Sequence, residues 1–359
     1  MRILVLNPGS STLKASLVVA GADAVAAETL EWPPGDDDAS EIVRAALTRL
    51  PEDADAVGYR VVHGGMRRAA TRVTGDVLDE VERLDALAPL HNRRAAATIR
   101  AGSAARPDVP HVACFDTAFH ADLPEAAWRY PLPPEWVERW GIRRFGFHGL
   151  SVTWATRRAA ELLGRPATDL RFVVAHLGSG CSVTAVEAGR SVDTSMGYTP
   201  YEGLMMGTRS GSIDPGIILH LVRRGLDLDA VAEGLAHRSG LRAMAGIAEA
   251  REIEARAADG DPAATLALEM FARRAAGAIA AATTTLTGLD AVVFTGGIGE
   301  ASAAMRSQIL QRLLALRLPN VGGDVDGDTV IAGGPPAVVV VAAREDLVIA
   351  AEVNALLSA

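Results

Sequence analysis

Three short turns carry the residues best suited to holding phosphate, and each follows an apolar run. They lie at residues 7–12 within LNPGSSTLK, at 176–182 (HLGSGCS) and at 295–300 (TGGIGE). Glycine lets a backbone approach a ligand closely, and the N–H groups of such turns can point at phosphate oxygens. The first turn lacks the G-x-x-x-x-G-K-[ST] pattern of a Walker P-loop, and the alternation after it predicts a second strand. Three such turns in one chain predict a bound nucleotide.

The basic residues near these turns predict an anionic ligand. A single lysine, Lys14, stands among 35 basic residues, directly after the first turn. A compact ammonium beside phosphate is one explanation, since lysine and arginine are not interchangeable there; chance on an exposed strand is the other. Arg60 interrupts an apolar strand pattern, and Arg209 lies in a loop rich in Gly, Met and Thr without an acidic neighbour at ion-pair spacing. Both arginines therefore predict contact with an anion.

One aspartate and several histidines lie in segments that mix glycine with apolar residues. The segments are RVVHGG, APLHN, FDTAFH and FGFHGLS. For His63, His120 and His176, a role in the core or in a turn is the favoured interpretation. Asp116 and His148 are candidates for chemistry.

Composition and charge exclude several classes of protein. With 359 residues the chain is long enough for two domains, and a hydrophobic fraction of 49% supplies ample core. A net charge of −9 argues against nucleic acid or an anionic membrane as a partner. The sequence predicts no signal peptide and no membrane span. Cys114 and Cys181 have no metal or redox spacing, so we expect two buried thiols in a cytoplasmic protein.

The predicted elements fall into two similar halves, each opening with three strands and a glycine or serine turn between the first two. A cleft between two such domains would hold a ligand, and a single large α/β sheet is the alternative. The predicted strands are 2–7, 13–20, 24–31, 56–62, 110–115, 171–177, 181–187, 190–193, 290–295 and 337–342. The predicted helices are 40–50, 76–86, 92–105, 151–163, several between 216 and 286, 300–316 and 346–358, with 123–140 irregular.

Six motifs together resemble those of acetate kinase and the related short-chain carboxylate kinases. They are NPGSSTLK, RVVHGG, FDTAFH, FGFHGLS, DTSMGYTPYEGLMMGTRSGSIDPG and VFTGGIGE. The resemblance implies an α/β fold of two duplicated ribonuclease H-like domains, as in actin, hexokinase and the Hsp70 ATPase, with a nucleotide cleft between them. The implied N-terminal domain comprises residues 1–119 and the C-terminal helix 346–359. The implied C-terminal domain, 120–345, carries most of the nucleotide contacts.

The family's activity follows from the same resemblance. It implies reversible, Mg²⁺-dependent, direct in-line phosphoryl transfer from ATP to acetate, giving acetyl phosphate and ADP, by a cytoplasmic homodimer; Mn²⁺ is the alternative ion. Asn7 and Glu345 would hold the magnesium ion, which uses few carboxylates and keeps several waters. Contacts with phosphates and adenosine are implied for Ser10, Ser11, Thr12, Lys14, His176, Leu177, Gly178, Ser179, Gly180, Arg251, Gly296, Gly297, Ile298, Gly299 and Glu300.

The acceptor side needs positive charge more than it needs a base. A carboxylate is already anionic, so phosphoryl transfer to it requires cations that bring two anions together. Arg60 and Arg209 suit bidentate contact with carboxylate and phosphoryl oxygens. His148 would hydrogen-bond the transferring phosphoryl group, and Asp116 would orient the groups around the acceptor. The resemblance adds residues around a small acyl pocket: Val62, Leu90, His91, Phe147 and Pro200.

The chain departs from the family pattern on the nucleotide side. Ser179 stands where the family usually has asparagine, and in GIAEAREIE only Arg251 matches the usual Asp-aromatic-Arg group. Serine is smaller than asparagine, so the change opens space rather than blocking the pocket. We therefore expect ATP, and not pyrophosphate, to be the phosphoryl donor.

Three other functions remain open from the sequence. A propionate or butyrate kinase would use the same residues, because one methylene in an apolar pocket discriminates by only about 1–3 kcal/mol. A sugar kinase would share the fold. A non-catalytic ATP-binding or actin-like module would share the nucleotide contacts without the chemistry.

Overall fold

The computed structural model of the chain divides into two compact units. The first comprises Met1–Ala121, Phe147–Trp154 and Arg344–Ala359, and the second comprises Asp122–Gly146 and Ala155–Ala343. The residues that the structure describes are 1–9, 11–33, 38–51, 53–89, 91–319, 321 and 323–359.

Each unit opens with three consecutive strands and combines further strands with helices. The strands are β1 (Arg2–Pro8), β2 (Thr12–Val19), β3 (Ala24–Glu31), β4 (Ala56–Val61), β5 (Thr71–Arg72), β6 (His111–Phe115), β7 (Arg171–Leu177), β8 (Cys181–Glu187), β9 (Arg190–Thr194), β10 (Ala291–Thr295), β11 (Thr329–Ala332) and β12 (Ala337–Val340). The helices are α1 (Ser40–Arg49), α2 (Gly75–Arg83), α3 (Asn92–Ala105), α4 (Glu125–Trp128), α5 (Pro134–Trp140), α6 (Gly149–Leu162), α7 (Pro215–Arg223), α8 (Leu228–His237), α9 (Gly240–Ala245), α10 (Ala250–Ala258), α11 (Pro262–Thr283), α12 (Gly296–Ala301), α13 (Ala303–Gln311) and α14 (Glu345–Ser358). Among the described residues, none of these helices combines the length and apolar character needed to cross a membrane.

Each unit contains one six-stranded mixed sheet, and the two sheets have the same topology. The first has the order β3-β2-β1-β4-β6-β5, and the second, read from its other edge, has the order β9-β8-β7-β10-β12-β11. In both, three antiparallel strands continue into two strands parallel to the first, and a short antiparallel strand closes the edge. The duplication predicted from the sequence is confirmed, and the alternative of one large sheet is wrong.

In the first unit, strand alternation divides the side chains between two cores. Leu4 and Leu6 of β1 pack with residues of α1 and α3 on one face. Ile3 and Val5 pack with residues of α14 on the other face, together with Cys114 of β6. The side chains that face α14 are those of odd-numbered residues in β1 and of even-numbered residues in β6. Continued by two residues, this alternation reaches Asn7 and Asp116.

Helix α14 lies close against this second face because β4 has a glycine beneath it. A Cβ atom on Gly58 would lie 2.7 Å from Ile349 Cγ2 and 2.9 Å from Val353 Cγ2. Both neighbours are β-branched and therefore stiff at χ1. Gly58 thus sets the separation between the sheet and the helix whose first residue is Glu345.

The sequence prediction was incomplete for the shortest elements. The segment predicted to be irregular contains α4 and α5. Helix α5 starts with Pro134 and is capped after Trp140 by Gly141, whose φ of 59° is left-handed. Strands β5 and β11 were not predicted, because two and four residues are too few to show a period. The third glycine turn is itself helical, since α12 begins at Gly296.

The packing at Gly58 gives a first prediction. Gly58→Ala should lower the free energy of unfolding by about 1–3 kcal/mol, because the added methyl group overpacks the interface between β4 and α14. Urea denaturation would measure the change. Gly277→Ala is the matched control: position 277 lies in α11 with nothing within 4 Å of an added Cβ, so alanine there should stabilise by roughly 0.5–1 kcal/mol. Equal effects at both positions would contradict this account of the packing.

Candidate active site

Three side chains of the first unit, Asn7, Asp116 and Glu345, meet around the guanidinium of Arg60. We call these four residues the arginine cluster. Arg60 lies at the end of β4, and its Nη2 and Nε donate to Asp116 Oδ2 over 2.6 and 3.1 Å. Its Nη1 donates to Asn7 Oδ1 over 3.3 Å and lies 3.3 Å from Glu345 Oε2. Asn7 Nδ2 donates to the same carboxylate oxygen over 2.7 Å. Three parallel strand ends and the start of α14 therefore supply one site.

Burial governs the charges of the arginine cluster. The Asp116 side chain has no exposed surface, and burial raises its pKa to about 6; Arg60 acts in the opposite direction, and Glu345 adds to the rise. Burial alone would lower the pKa of Arg60, but Asp116 and Glu345 outweigh it and raise that pKa. Arg60 is thus cationic throughout the working range of pH. One edge of its fork is fixed by Asp116, and the side chain keeps 14% exposure through which an anion could reach it.

His148 is held beside Asp116 by an unusual backbone. Its φ is 58°, which is a left-handed conformation that non-glycine residues seldom adopt. The His148 N–H donates to the Asp116 carboxylate and lowers its pKa, and Gly149 N donates to the Asp116 carbonyl oxygen over 3.0 Å. A Cβ atom on Gly149 would collide with that carbonyl oxygen. Strain of this kind persists where the surroundings fix it, and it often marks functional sites.

The predicted acyl-pocket residues of the first unit are apolar and mostly buried. Val62 follows β4 directly and has 6% exposure, and Phe147 has 1%. The Phe147 ring meets the His63 ring edge-on, with centroids 5.4 Å apart. Asn92 fixes the His63 backbone through two hydrogen bonds, and His91, the residue before it, precedes the first turn of α3. Leu90 lies outside the described residues.

The first glycine turn joins β1 and β2. Asn7 and Lys14 are direct partners across these antiparallel strands, so their side chains lie on the same face of the sheet. Lys14 is exposed, as are Ser11 and, in part, Thr12, whose carbonyl accepts from Gly9 N over 2.7 Å. Ser10 lies outside the described residues.

A buried arginine that the sequence analysis missed supports this turn. The guanidinium of Arg94 in α3 donates to the carbonyl oxygens of Gly9, Trp32 and Pro33, and it stacks on the Trp32 ring at 4.4 Å.

The second unit brings the other two glycine turns together. The turn 176–180 connects β7 and β8, which pair as far as Leu177 and Cys181. Gly296 has a φ of 79°, and a Cβ atom there would lie about 3 Å from the backbone of Leu177. An added Cβ on Gly178 would lie 3.9 Å from Gly297 N. Adjacent backbones without side chains between them can offer several N–H groups to one anion.

The remaining residues implied by the resemblance at these turns also have defined places. Ser179 is exposed, and its carbonyl accepts from Gly207 N over 3.0 Å. Glu300 Oε1 accepts from Ala343 N over 2.9 Å, while His176 and Ile298 are half-buried. Arg251 is an exposed residue in the first turn of α10.

Arg209 differs from Arg60 in its partner. It is buried, with 7% exposure, and its Nη1 donates to the carbonyl oxygen of Pro200 over 2.8 Å. Burial lowers its pKa, with opposing effects from Cys181 and Tyr201. Within the described part of the chain, no aspartate or glutamate forms an ion pair with Arg209. A buried guanidinium held by a carbonyl retains its full charge for an anionic ligand.

The donor set near Arg60 fits a magnesium ion. In the described ranges, no group of three or more His, Cys, Asp and Glu side chains could hold a metal. Magnesium, however, usually binds through one or two carboxylates, waters and substrate phosphates. The Asn7 amide and the Glu345 carboxylate lie within one hydrogen bond of each other and provide that kind of oxygen set.

The raised pKa of Asp116 gives a second prediction. Between an unfolded-state pKa of 3.8 and a folded-state pKa of about 6, the folded protein binds more protons than the unfolded one. The stabilising contribution is therefore present below about pH 4 and is lost as pH rises through 6. We expect the free energy of unfolding of the wild type, relative to Asp116→Asn, to fall over this range in urea titrations with EDTA.

Glu345→Gln provides the control for this titration. The fall should be smaller in that background, because Glu345 contributes to the raised pKa of Asp116. If the free energy of unfolding of the wild type, relative to Asp116→Asn, rose with pH, then the effect of Arg60 on the pKa of Asp116 would outweigh the effect of burial.

Comparisons with known proteins agree with this arrangement. A family model described as the Acetokinase family matches residues 37–351. An acetate kinase from Geobacillus kaustophilus (strain HTA426) is 38% identical, with 99% of each chain covered. The crystal structure of Porphyromonas gingivalis acetate kinase is 32% identical with a TM-score of 0.87, covering 99% of both chains. A propionate kinase from Francisella tularensis is 34% identical with a TM-score of 0.85, covering 98% of both chains.

The fold extends beyond these relatives. A ROK family glucokinase from Streptomyces griseus has a TM-score of 0.51, covering 98% of this chain and 99% of that one, at only 17% identity, which shows the fold alone. The acetate kinases from Geobacillus kaustophilus and Porphyromonas gingivalis match nearly the whole sequence at 38% and 32% identity, and the family model matches residues 37–351. These matches show the family as well as the fold. The chain belongs to the acetokinase family.

Proposed function

We propose that the protein is an acetate kinase, which transfers a phosphoryl group reversibly between ATP and the carboxylate of acetate, giving acetyl phosphate and ADP. The observation that carries the proposal is the arginine cluster, in which a buried carboxylate fixes a guanidinium with one part still accessible. The relatives named acetate kinase support acetate as the substrate. The propionate kinase neighbour makes propionate the alternative acceptor.

Asp116 acts as an anchor in this proposal and not as a nucleophile or base. Both of its oxygens lie within 3.3 Å of Arg60 Nε, and it is fully buried. A carboxylate acceptor has no proton to remove, so no base is required. With Asp116 committed to Arg60, direct in-line transfer from nucleotide to acceptor is the simplest route, because it needs no covalent enzyme intermediate.

Arginine and histidine would supply the charge stabilisation. Arg60 would contact the acceptor carboxylate, and Arg209 would contact the transferring phosphoryl group, whose equatorial oxygens carry the developing charge. His148, whose strained backbone donates its N–H to Asp116, would add a hydrogen bond to the same phosphoryl group. Val62 and Phe147 would line the pocket for the methyl group of acetate, as the resemblance implies for them; the resemblance implies the same role for His91 and for Pro200 of the second unit.

The second unit would carry most of the nucleotide contacts. Backbone N–H groups of residues 176–180 and 296–299 would bind phosphates. The resemblance implies phosphate contacts for Ser11, Thr12 and Lys14 of the first unit as well. Gly178, Gly180 and Gly297 leave room for a nucleoside triphosphate, which supports ATP over pyrophosphate. Magnesium, held by Asn7 and Glu345, would neutralise phosphate charge when bound.

A homodimer is part of the proposal. None of the residues of α7 is buried, and Ile217, Leu219 and Val222 are 47%, 56% and 39% exposed. Such an apolar helix surface is typical of a surface that another chain covers.

The buried free thiols, Cys114 and Cys181, suit a reducing compartment such as the cytoplasm. The net charge of −9 supports a small-molecule enzyme without a nucleic-acid or membrane partner.

The direct test is trapping of the acyl phosphate, which gives a third prediction. Protein, ATP and Mg²⁺ with acetate and hydroxylamine should form acetyl hydroxamate, and the reaction should reverse with acetyl phosphate and ADP. A series of acetate, propionate and butyrate would then compare kcat/KM. We expect the kcat/KM for acetate to exceed that for propionate by about 10-fold to 200-fold, which is the discrimination that one methylene group provides in an apolar pocket.

Three results would contradict the proposal in different ways. ATP binding without hydroxamate would indicate a non-catalytic module. Release of ADP only with glucose or glycerol would indicate a sugar kinase. A higher kcat/KM for propionate would retain the chemistry and change the substrate.

A further inference from the structure

The loop between β9 and Gly203 is bound by hydrogen bonds to another segment of the second unit, residues 128–146. This loop, residues 195–202, contains Pro200, whose carbonyl oxygen accepts from Arg209. The segment 128–146 contacts its backbone repeatedly. Arg144 Nη1 donates to the carbonyl oxygens of Thr194, Ser195 and Met196 over 3.0, 3.1 and 3.2 Å. Phe145 N donates to the Gly197 carbonyl oxygen over 3.0 Å.

Three side chains, which we call the triad, complete this attachment: Tyr130, Arg144 and Glu202. The Tyr130 hydroxyl donates to Glu202 Oε2, and Arg144 Nη2 donates to Glu202 Oε1 over 3.0 Å. The Tyr130 oxygen also accepts from Tyr198 N over 3.0 Å. The triad therefore joins both ends of the loop, at residues 194–198 and at residue 202, to the 128–146 segment.

Local sequence and burial fit this arrangement. A Cβ atom on Gly197 would overlap Glu202 Oε2 and the Tyr130 oxygen, so only glycine lets the triad close over the loop. Burial raises the pKa of Tyr130, and its hydroxyl therefore keeps the proton that it donates to Glu202. The Arg144 side chain is 17% exposed, and its remaining nitrogen, Nε, donates to Ala127 O over 3.3 Å. All three of its nitrogens thus donate to groups of the second unit, and four of the five acceptors lie at residues 194–196 and 202.

Pro200 is two residues from Glu202, and its carbonyl oxygen is 2.8 Å from Arg209 Nη1. A hydrogen bond to a carbonyl fixes a guanidinium only if the carbonyl is itself fixed, and proline has no N–H with which to anchor its own segment. We propose that Tyr130, Arg144 and Glu202 are positioning residues that hold the 195–202 loop, and through the Pro200 carbonyl aim Arg209 at the transferring phosphoryl group. This inference rests on the proposed function.

A double-mutant cycle tests the proposal, with acetyl hydroxamate formation as the assay. Glu202→Gln keeps the side-chain volume and removes the charge that binds Arg144. We expect it to lower kcat by roughly 10-fold to 100-fold in the wild-type background, since a displacement of about 1 Å can cost 10²-fold. In the Arg209→Ala background the same substitution should change kcat by less than about 2-fold, because the group being positioned is gone. The KM for ATP should stay within about 2-fold in Glu202→Gln.

Two further variants keep the cycle interpretable. Glu187→Gln is the matched control, because Glu187 also accepts from a hydroxyl, that of Thr287, on an exposed part of the same unit. It should leave kcat unchanged in both backgrounds. Tyr130→Phe removes one hydroxyl and almost no volume, and it carries the test if Glu202→Gln lowers the folded fraction in thermal unfolding. We expect it to show the same dependence on Arg209.

The outcomes separate this inference from the proposed function. Equal losses with and without Arg209, or no loss in either background, would overturn the positioning role while acetate kinase activity stands. An Arg209→Ala variant as active as the wild type would overturn it as well, since there would be no group to aim. No hydroxamate from the wild type would refute the proposed function itself.

Discussion

The bidentate bond between Arg60 and Asp116 is the interaction on which the first unit's candidate site depends. Placing a carboxylate where no water reaches it is costly, and the arginine offsets that cost only in good geometry. The geometry comes from parallel pairing, which puts the ends of β4 and β6 side by side. The backbone N–H of His148 donates to the same carboxylate, and Gly149 N donates to the backbone carbonyl oxygen of Asp116. Removing Asp116 would therefore disturb several groups at once.

The two units share a topology, but each holds its buried arginine with a different kind of partner. In the first unit, a carboxylate neutralises Arg60, and the raised pKa of the arginine reflects that pairing. In the second, a carbonyl dipole holds Arg209, and burial lowers its pKa. A guanidinium paired with a carboxylate is well oriented but partly neutralised. One held by a carbonyl has more net charge to offer, which suits a phosphoryl group that carries more charge than acetate.

Much of the fold and of the candidate site could be predicted from local sequence patterns. Alternation predicted the strands, and Arg60 was singled out because it interrupts the apolar pattern of β4. Lys14 was singled out by composition alone, and the register places it opposite Asn7. The strand predictions succeeded because alternation and the strand that it signals lie within the same few residues. The anion contacts expected of Arg60 and Lys14 stay predictions.

The contacts that sequence reasoning missed join residues far apart in the chain. Tyr130 and Glu202 are separated by 72 positions, and Arg94 reaches Gly9 across 85. Neither pair can be recognised from periodicity or spacing, because the two residues of each pair are far apart in the sequence. A single tyrosine, or a single arginine in a helix, is compatible with many roles. The strain at His148 was equally hidden, since a backbone angle is set by tertiary contacts and not by residue type.

The central claim is that Arg60 acts as an oriented fork and not only as a positive charge. The most direct measurement is kcat for acetyl phosphate formation by Arg60→Ala and Arg60→Lys at saturating ATP and acetate. We predict losses on the order of 10²–10⁴-fold for alanine, as for other groups that stabilise charge in a transition state. Lysine should recover little of this, because a point charge cannot bond Asp116 and an anion in the same geometry. Turnover in Arg60→Lys within about 3-fold of the wild type would contradict the claim.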